Sequence, residues 1–359
     1  MGRWSDYVHV VGDGVREMWT AGAGQHPLYV LGEGFDPRML VGLKSALGTG
    51  ALQKPSVLSL GLAKPGSTSA RAEKASQNLT QLLELVSAHD LQHERIPCPD
   101  VHERRSLSRP LLAALLADEL FQSSDHVVID ISALPVGVYF GLIKGLLDVE
   151  KKEPSDRELQ VVVAENVNID SRIEGSGADT PAPILGFSFG VDLNQSVARP
   201  PLVWAPVLGE GAVPQMEALE ESLKPDEICP VLPFPARDPR RADQLIVEAK
   251  ELLYDRFEIE PTNYIYADER NPFDLYRALS RLQERYRDAL QPLGQAAVIL
   301  SVHSSKSLSL GAMLAAYEHE LPAFNAEPEH YDFDLDEITP ELVAESELSG
   351  AWLQDTPTK

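Results

Sequence analysis

The sequence predicts an α/β fold made of two Rossmann-like parallel-sheet halves related by internal duplication. Apolar, strand-like runs alternate with helical patterns along most of the chain, which is the signature of parallel βαβ units. In addition, VLGEGFDP (30–37) recurs as VLGEGAVP (207–214), and HVVIDIS (126–132) matches AAVILSV (296–302). Because further elements repeat in the same order at a similar spacing, these matches are difficult to obtain by chance.

Five strands are expected in each half. In the first half they lie near 28–32, 56–62, 92–97, 126–132 and 159–164. In the second half they lie near 202–208, 227–233, 263–267, 296–302 and 322–326. The chain is therefore divided into an N-terminal segment (1–27), a first half (28–196), a second half (197–331) and an acidic C-terminal tail (332–359).

Three helices have patterns that say how they pack. For the helix after the third strand of the second half, Asn271 is placed to cap it and Pro272 suits its first position. Its apolar stripe consists of Leu275, Leu279, Leu282, Tyr286 and Leu290. The helices after the fourth strands, VGVYFGLIKGLL (136–147) and LSLGAMLAAY (308–317), are apolar over most of their circumference, which predicts burial on more than one side.

Composition limits the location and the partners of the protein. Of 359 residues, 43% are hydrophobic and 24% charged, as in soluble globular proteins. No apolar run approaches the length of a membrane span, and the N-terminus lacks the regions of a secretory signal, so we expect a cytoplasmic protein with no membrane partner. The formal net charge of −24 disfavours direct binding of long nucleic acids, but a small anionic ligand in a local pocket is compatible with it.

No sequence pattern indicates a metal or a cofactor. The two cysteines, Cys98 and Cys229, have neither a second cysteine nor a histidine at ligand spacing, so a zinc site is not expected. The sequence also contains no G-x-S-x-G elbow, no H-E-x-x-H and no P-loop. We therefore predict no cofactor, and we lean towards a non-enzymatic protein.

Candidate ligand-binding residues follow the strands, where ligands bind in open parallel sheets. The candidates after the first strand of each half are Gly32, Glu33, Gly34, Asp36, Gly209 and Gly211. Their glycines could point backbone N–H groups at an anion. The alternative is that the glycines turn the strand into a helix, which Pro37 or Pro214 then begins.

The turns after the fourth strands supply the remaining candidates, which are Asp130, Ser132, Ser301, His303, Ser304, Ser305 and Lys306. Hydroxyls, N–H groups at a helix start and one ammonium together suit a phosphate. The alternative is that Ser304 or Ser305 caps the helix and Lys306 is solvated. Two arginine clusters, 104–109 and 237–241, precede helices and fit either a phosphate or local ion pairs.

The two Rossmann-like halves, with the polar turns DISALP and SVHSSK and a buried helix after each, resemble CARF and SAVED sensor domains. The resemblance spans about residues 28–331 and concerns topology and motif placement. The Asp-x-Thr-Gly-Gly run usual in these families is matched only by Asp130 and Ser132. In these families, paired halves bind cyclic nucleotide second messengers between them. The resemblance implies a sensor of a small phosphorylated ligand, which acts in antiviral defence through a partner chain that carries the effector activity.

Two other functions remain open. A two-Rossmann transferase or hydrolase would use Lys306 to hold a leaving phosphate, with Mg²⁺ held by carboxylates from Asp36, Asp130, Asp268 and Glu269. A non-catalytic assembly subunit would dock through the acidic tail and through the N-terminal segment, whose aromatic residues are Trp4, Tyr7 and Trp19.

Overall fold

The computed structural model describes residues 2–4, 6–7, 9–22, 24–62, 70–101, 106–170, 172–188, 201–290, 297–326, 330–333 and 338–354. The chain divides into two compact units. The first unit comprises Tyr7–Val167 with Ile338–Lys359, and the second comprises Met1–Asp6 with Asn168–Glu337. Within the described residues, none of the helices combines the length and the apolar character that a bilayer span requires.

The elements up to residue 170 follow the expected alternation. Strands are β1 (His9–Val11), β2 (Pro27–Glu33), β3 (Ser56–Gly61), β4 (His93–Ile96), β5 (His126–Asp130) and β6 (Glu158–Glu165). Helices are α1 (Asp13–Ala21), α2 (Val41–Thr49), α3 (Ala70–Ala88), α4 (Ser108–Ala117), α5 (Glu119–Ser123), α6 (Val136–Lys152) and α7 (Val167–Asp170). A 3₁₀ turn, Pro37–Leu40, leads into α2.

The later elements repeat this alternation. Strands are β7 (Ile173–Ser176), β8 (Ala182–Pro183), β9 (Leu202–Val207), β10 (Glu227–Ile228), β11 (Val231–Pro233), β12 (Ile265–Ala267), β13 (Ala297–Val302), β14 (Ala323–Asn325), β15 (His330–Phe333) and β16 (Glu347–Gln354). Helices are α8 (Val213–Leu223), α9 (Arg241–Glu248), α10 (Pro272–Leu290), α11 (Lys306–His319) and α12 (Pro340–Ala344). A π-helical turn, Glu251–Arg256, follows α9.

The sheet of the first unit has the strand order β1-β16-β6-β5-β2-β3-β4. The strands β2 to β6 are parallel, and counted along the chain they have the Rossmann order 3-2-1-4-5. On one face, α1, α2 and α3 pack their apolar side chains against these strands. All five strands predicted for the first half are therefore confirmed.

The sheet of the second unit has the order β12-β11-β9-β13-β14-β8, with β10 beside β9. Its parallel strands again have the order 3-2-1-4-5, and β8 joins antiparallel to β14. The prediction of two Rossmann-like halves is thus confirmed, and the shared strand order is what an internal duplication produces.

One predicted strand of the second unit is interrupted. The expected strand 227–233 forms as β10 and β11, separated by Cys229 and Pro230. Proline has no N–H to donate to the ladder, so regular pairing stops there. The interrupted strand still lies alongside β9. The Cys229 N–H donates to the carbonyl of Trp204 at 2.8 Å, and the Leu208 N–H donates to the carbonyl of Val231 at 3.0 Å.

The segment predicted as an acidic tail differs from the structure. Within 332–359, residues 347–354 form β16, which lies antiparallel between β1 and β6. Leu348, Ala351 and Leu353 are buried. The physical reason lies in the charge distribution: residues 348–354 carry no charge, and the acidic residues flank them. Overall charge therefore concealed a short apolar strand.

The N-terminal segment also differs from the expectation of a separate region. Its residues 9–11 and 13–21 form β1 and α1 of the first unit, where Trp19 is buried. Trp4 belongs to the second unit and is fully buried, with ring centroids 5.8 Å from Tyr276 and 5.9 Å from Tyr317. Neither tryptophan is therefore available as an exposed docking element.

The three helix predictions agree with the structure. Asn271 caps α10, since its Oδ1 accepts the Phe273 N–H at 3.0 Å, and three residues of the predicted apolar stripe are buried, namely Leu275, Leu279 and Leu282. Residues 307–316 of α11 are all buried.

Close helix packing depends on glycine in both units. A Cβ at Gly145 would overlap the Leu112 side chain on α4, and one at Gly311 would overlap the Pro272 carbonyl.

Candidate functional site

Glu33, the predicted acidic residue at the end of β2, is hydrogen-bonded by side chains of the neighbouring strands. The carboxylate of Glu33 accepts hydrogen bonds from Arg95 on β4, from Nε to Oε1 at 2.7 Å and from a terminal nitrogen to Oε2 at 2.6 Å. The hydroxyl of Ser59 on β3 donates to the same Oε1 at 2.8 Å. This bidentate pair neutralises Glu33 and ties three strands together.

A histidine completes this cluster of the first unit. The Nε2 atom of His93 lies 3.0 Å from the hydroxyl of Ser59. Burial lowers the pKa of His93, and the charge of Glu33 opposes that shift only in part. Sequence reasoning did not find Ser59, His93 or Arg95. A signal existed, because His93 and Arg95 are alternate polar residues of one strand and therefore share a face.

Asp36 serves the turn that follows β2. Its Oδ1 accepts the Arg38 N–H at 3.0 Å, so Asp36 caps the 3₁₀ turn. The Arg38 guanidinium forms a buried ion pair with the same carboxylate at 2.7 Å. Both of these Asp36 interactions are therefore with Arg38, two residues away, and stabilise the local turn.

Asp130 and Ser132 are also engaged locally. Asp130 is buried and accepts hydrogen bonds from the Tyr29 hydroxyl at 2.6 Å and from the Ser132 N–H at 2.8 Å. Burial, with the charge of Asp130 beside it, raises the pKa of Tyr29 well above its usual value. The Ser132 hydroxyl accepts the Ala164 N–H at 2.8 Å and so joins the end of β5 to β6.

The glycines after β2 have packing roles. A Cβ at Gly32 would come within 2.5 Å of a methyl carbon of Leu134, in the turn after β5. The carbonyl of Gly34 accepts a hydrogen bond from the Asn78 side chain at 2.9 Å. In the first unit, the predicted site residues thus lie at the expected edge of the sheet, and each makes interactions that support the fold.

In the second unit, Gly209 brings two loops into backbone contact. A Cβ on residue 209 would overlap the carbonyl oxygen of His303 and would lie 2.9 Å from the Cα of Ser304. The loops after β9 and β13 therefore touch at this point. Gly211, two residues on, has a φ of 69°, which favours glycine, and its N–H donates to the Glu248 carboxylate at 2.7 Å.

Ser301 and His303 belong to a chain of hydrogen bonds that starts at Trp204. The indole Nε1–H of Trp204 donates to the Ser301 hydroxyl at 3.0 Å, and His303 Nε2 lies 3.0 Å from that same oxygen. Burial lowers the pKa of His303 to about 4, so its imidazole is neutral at neutral pH. Ser301 is fully buried and positions His303.

The next three residues, Ser304, Ser305 and Lys306, lead into α11. The Ser305 hydroxyl accepts the Leu308 N–H at 3.4 Å and caps the helix, which begins at Lys306. One of the two sequence interpretations, a serine cap, therefore holds for Ser305. The Ser304 hydroxyl oxygen is inaccessible to solvent, and no described residue forms a hydrogen bond with it.

Arg241, which follows β11, connects its own loop to the loops after β9 and β12. Its guanidinium forms ion pairs with Glu210, in the loop after β9, at 2.7 Å, and with Glu269, in the loop after β12. Glu269 also accepts the Arg237 N–H at 2.9 Å. Both Arg241 and Glu269 are buried. The ion-pair interpretation of the 237–241 cluster therefore applies to Arg241, whereas residues 104 and 105 of the other cluster lie outside the described residues.

The carboxylates considered for Mg²⁺ have other roles. Glu269 binds Arg241, and Asp268 accepts the Arg270 N–H at 2.9 Å. Across the described ranges, no group of three or more His, Cys, Asp or Glu side chains is arranged to hold a metal ion.

Comparisons with known proteins do not assign a family. No protein-family model matches the sequence, and no curated protein matches it significantly. Among solved structures, that of a universal stress protein from Pseudomonas aeruginosa UCBPP-PA14 aligns over 91% of this chain and 97% of its own, at 10% identity and a TM-score of 0.23.

Proposed function

We propose that this protein binds a small phosphorylated ligand, a nucleotide second messenger, at the carboxyl edge of the sheet of its second unit. The observation that carries this proposal is the connection of four loops at that edge. Gly209 joins the loops after β9 and β13, and Arg241 joins those after β9, β11 and β12. Binding groups on loops held in this way lose little freedom when a ligand arrives.

The position of these loops supports the proposal. In the order 3-2-1-4-5, the chain first adds strands on one side of β9 and then, from β13 on, adds them on the other side, so the switch point lies between β9 and β13. Open α/β sheets bind ligands outside the carboxyl ends of the strands at this switch point. The loops that meet there are the two that Gly209 joins, and they contain Ser304 and Lys306.

The chemistry of these residues suits a phosphate. The N-terminus of α11 attracts negative charge, and Lys306, the first residue of that helix, supplies an ammonium group in the same turn. The Ser304 hydroxyl, which no described residue bonds, could donate to an anion after a rotation about its Cα–Cβ bond exposes it. Because the corresponding groups of the first unit are bonded to one another, the proposal centres on the second unit.

A partner chain is part of this proposal, since a sensor requires an effector to act. Ligand binding would stabilise the connected loops, and the partner would recognise that state. The cytoplasmic location expected from the sequence belongs to the same proposal.

Thermal denaturation of the purified protein tests the proposal, with AMP, ATP, GTP, cyclic di-AMP and inorganic pyrophosphate as probes. A probe at a hundred times its Kd stabilises the folded state by about 2.7 kcal/mol, which is readily measured as a shift in Tm. Lys306→Ala should raise the Kd of that probe by about 5- to 150-fold, as expected for the loss of a charge-assisted hydrogen bond.

Lys250→Ala is the matched control, because it removes one exposed lysine from the same unit and should leave the Kd unchanged. If no probe shifts the Tm of the wild-type protein, or if Lys306→Ala binds as the wild type does, the proposed site is wrong.

A further inference from the structure

Two aromatic side chains lie exposed beside each other at the same edge of the second unit. Phe234 directly follows β11, Tyr266 lies on β12, and each side chain is 53% exposed. Their ring centroids are 6.1 Å apart with an interplanar angle of 78°. Tyr266 pairs with Leu232, two residues before Phe234, so the two rings emerge on the same face of the sheet.

The backbone around this aromatic pair is held firmly. The Phe234 N–H donates to the carbonyl of Ala267 at 2.7 Å, and the Glu269 N–H donates to the carbonyl of Pro235 at 2.9 Å. Glu269 is also the buried partner of Arg241. The rings are therefore presented by a strand and a loop that are already ordered, which lowers the entropic cost of stacking a ligand on them.

A cation lies in the loop that carries Phe234. Arg240 is exposed, and no described residue forms an ion pair with its guanidinium. Its backbone N–H is fixed by Asp238 at 2.9 Å. An aromatic surface and an arginine in the same loop suit a planar group that is attached to an anion, as in a nucleotide.

The strand order relates this pair to the proposed phosphate site. β11 lies next to β9 and β12 lies next to β11, with neighbouring strands about 5 Å apart. The aromatic pair is thus displaced sideways by one to two strands from β9, which borders the switch point, and Phe234 lies just beyond the carboxyl end of β11. In a nucleotide, one pentose separates the base from the phosphate.

We propose that Phe234 and Tyr266 form the stacking surface for the nucleobase of the ligand whose phosphate lies at the turn after β13. The inference rests on the proposed function and states where the base of that nucleotide would bind. A planar base lies flat on the exposed face of one ring, and the other ring limits its movement at the edge.

Isothermal titration of Phe234→Ala and Tyr266→Ala tests the inference, with ATP or GTP as one probe and inorganic pyrophosphate as the probe without a base. Each variant should raise the Kd of the nucleotide by about 5- to 150-fold, as aromatic truncation does for stacked bases, and should leave the Kd of pyrophosphate unchanged. Tyr266→Phe, which keeps the ring, should bind the nucleotide as the wild type does. Val247→Ala, at a 71% exposed apolar residue of α9, is the control and should change neither Kd.

The outcomes separate this inference from the function on which it rests. If both alanine variants keep the Kd of the nucleotide while Lys306→Ala raises it, the phosphate site stands and the stacking surface is wrong. If neither probe binds the wild-type protein, both proposals are wrong. Loss of a protein partner from the alanine variants, with an unchanged nucleotide Kd, would instead make the aromatic pair a protein-binding surface and would overturn the inference.

Discussion

The backbone of Gly209 lies directly against the carbonyl of His303, so that a single methyl group at residue 209 would overlap that oxygen. In the first unit, Gly32 lies instead against a side chain, that of Leu134 in the turn after β5. The first glycine of each V-L-G-E-G repeat thus allows the turns after strands 1 and 4 to meet. Close approach of two loops explains why the repeat carries glycine at this position.

Gly209→Ala should therefore destabilise the protein. Because the loops after β9 and β13 must move apart, we expect a loss of about 1–3 kcal/mol in the free energy of unfolding, measured by urea titration. Gly48→Ala is the control, since a Cβ at Gly48 on α2 meets no atom within 4 Å. That change should stabilise the protein by up to about 1 kcal/mol. Equal effects of the two substitutions would contradict the packing role of Gly209.

Replacing Arg241 with methionine should cost about 3–5 kcal/mol, because it leaves the carboxylate of Glu269 buried without its partner. The double variant Arg241→Met with Glu269→Leu should recover much of this loss, since no charge then stays buried. The measurement is a double-mutant cycle on the urea midpoint. Arg256→Ala, which removes surface ion pairs with Glu217, Glu220 and Glu221, should shift the midpoint less than the loss of a buried pair. Additive single effects would argue against direct coupling of Arg241 and Glu269.

The depressed pKa of His303 predicts that stability falls with acidification. The histidine is neutral in the folded state down to about pH 4, whereas in the unfolded chain it takes up a proton below about 6.5. Protonation therefore favours unfolding, and the wild type should lose about 2 kcal/mol between pH 7 and pH 5 through this group. Because His303 keeps some solvent exposure, this figure is an upper limit.

The control for this pH effect is His303→Gln, which cannot titrate in this range. The difference in unfolding free energy between the wild type and the variant isolates His303 from the many carboxylates of the chain. A difference that stays constant from pH 7 to pH 5 would show that His303 is not buried in its neutral form.

Trp4→Ala should destabilise the second unit by about 3–5 kcal/mol, as for other buried tryptophans. The indole packs against Tyr276 and Tyr317, and the neighbouring Arg3 N–H donates to both oxygens of Glu318 at 2.9 Å. Trp4→Phe, which keeps an aromatic ring, should cost less. Amide hydrogen exchange in α10 and α11 is the measurement, and unchanged protection there would contradict an anchoring role for Trp4.

The parallel strands of both sheets were predictable because each is a short apolar run bounded by turn residues. The interruption at Pro230 follows from a rule that sequence alone supplies, whereas β16 was missed because acidic flanks hid its uncharged residues. Among candidate site residues, the sequence predicted their place at the strand ends. It did not predict their partners, since Glu33 meets Arg95, and Asp130 meets Tyr29, only after distant strands have paired.

The position of β16 has a consequence for how the chain folds during synthesis. β16 lies between β6 and β1, yet its residues are synthesised only after those of the second unit. At 5–20 residues per second, the edge of β6 stays unpaired for roughly 10 to 40 s after it leaves the ribosome. During that interval, the exposed edge is a template for pairing with other chains. Cotranslational assembly of the first unit is thus incomplete until β16 has emerged, because its sheet combines segments from both sides of the second unit in the sequence.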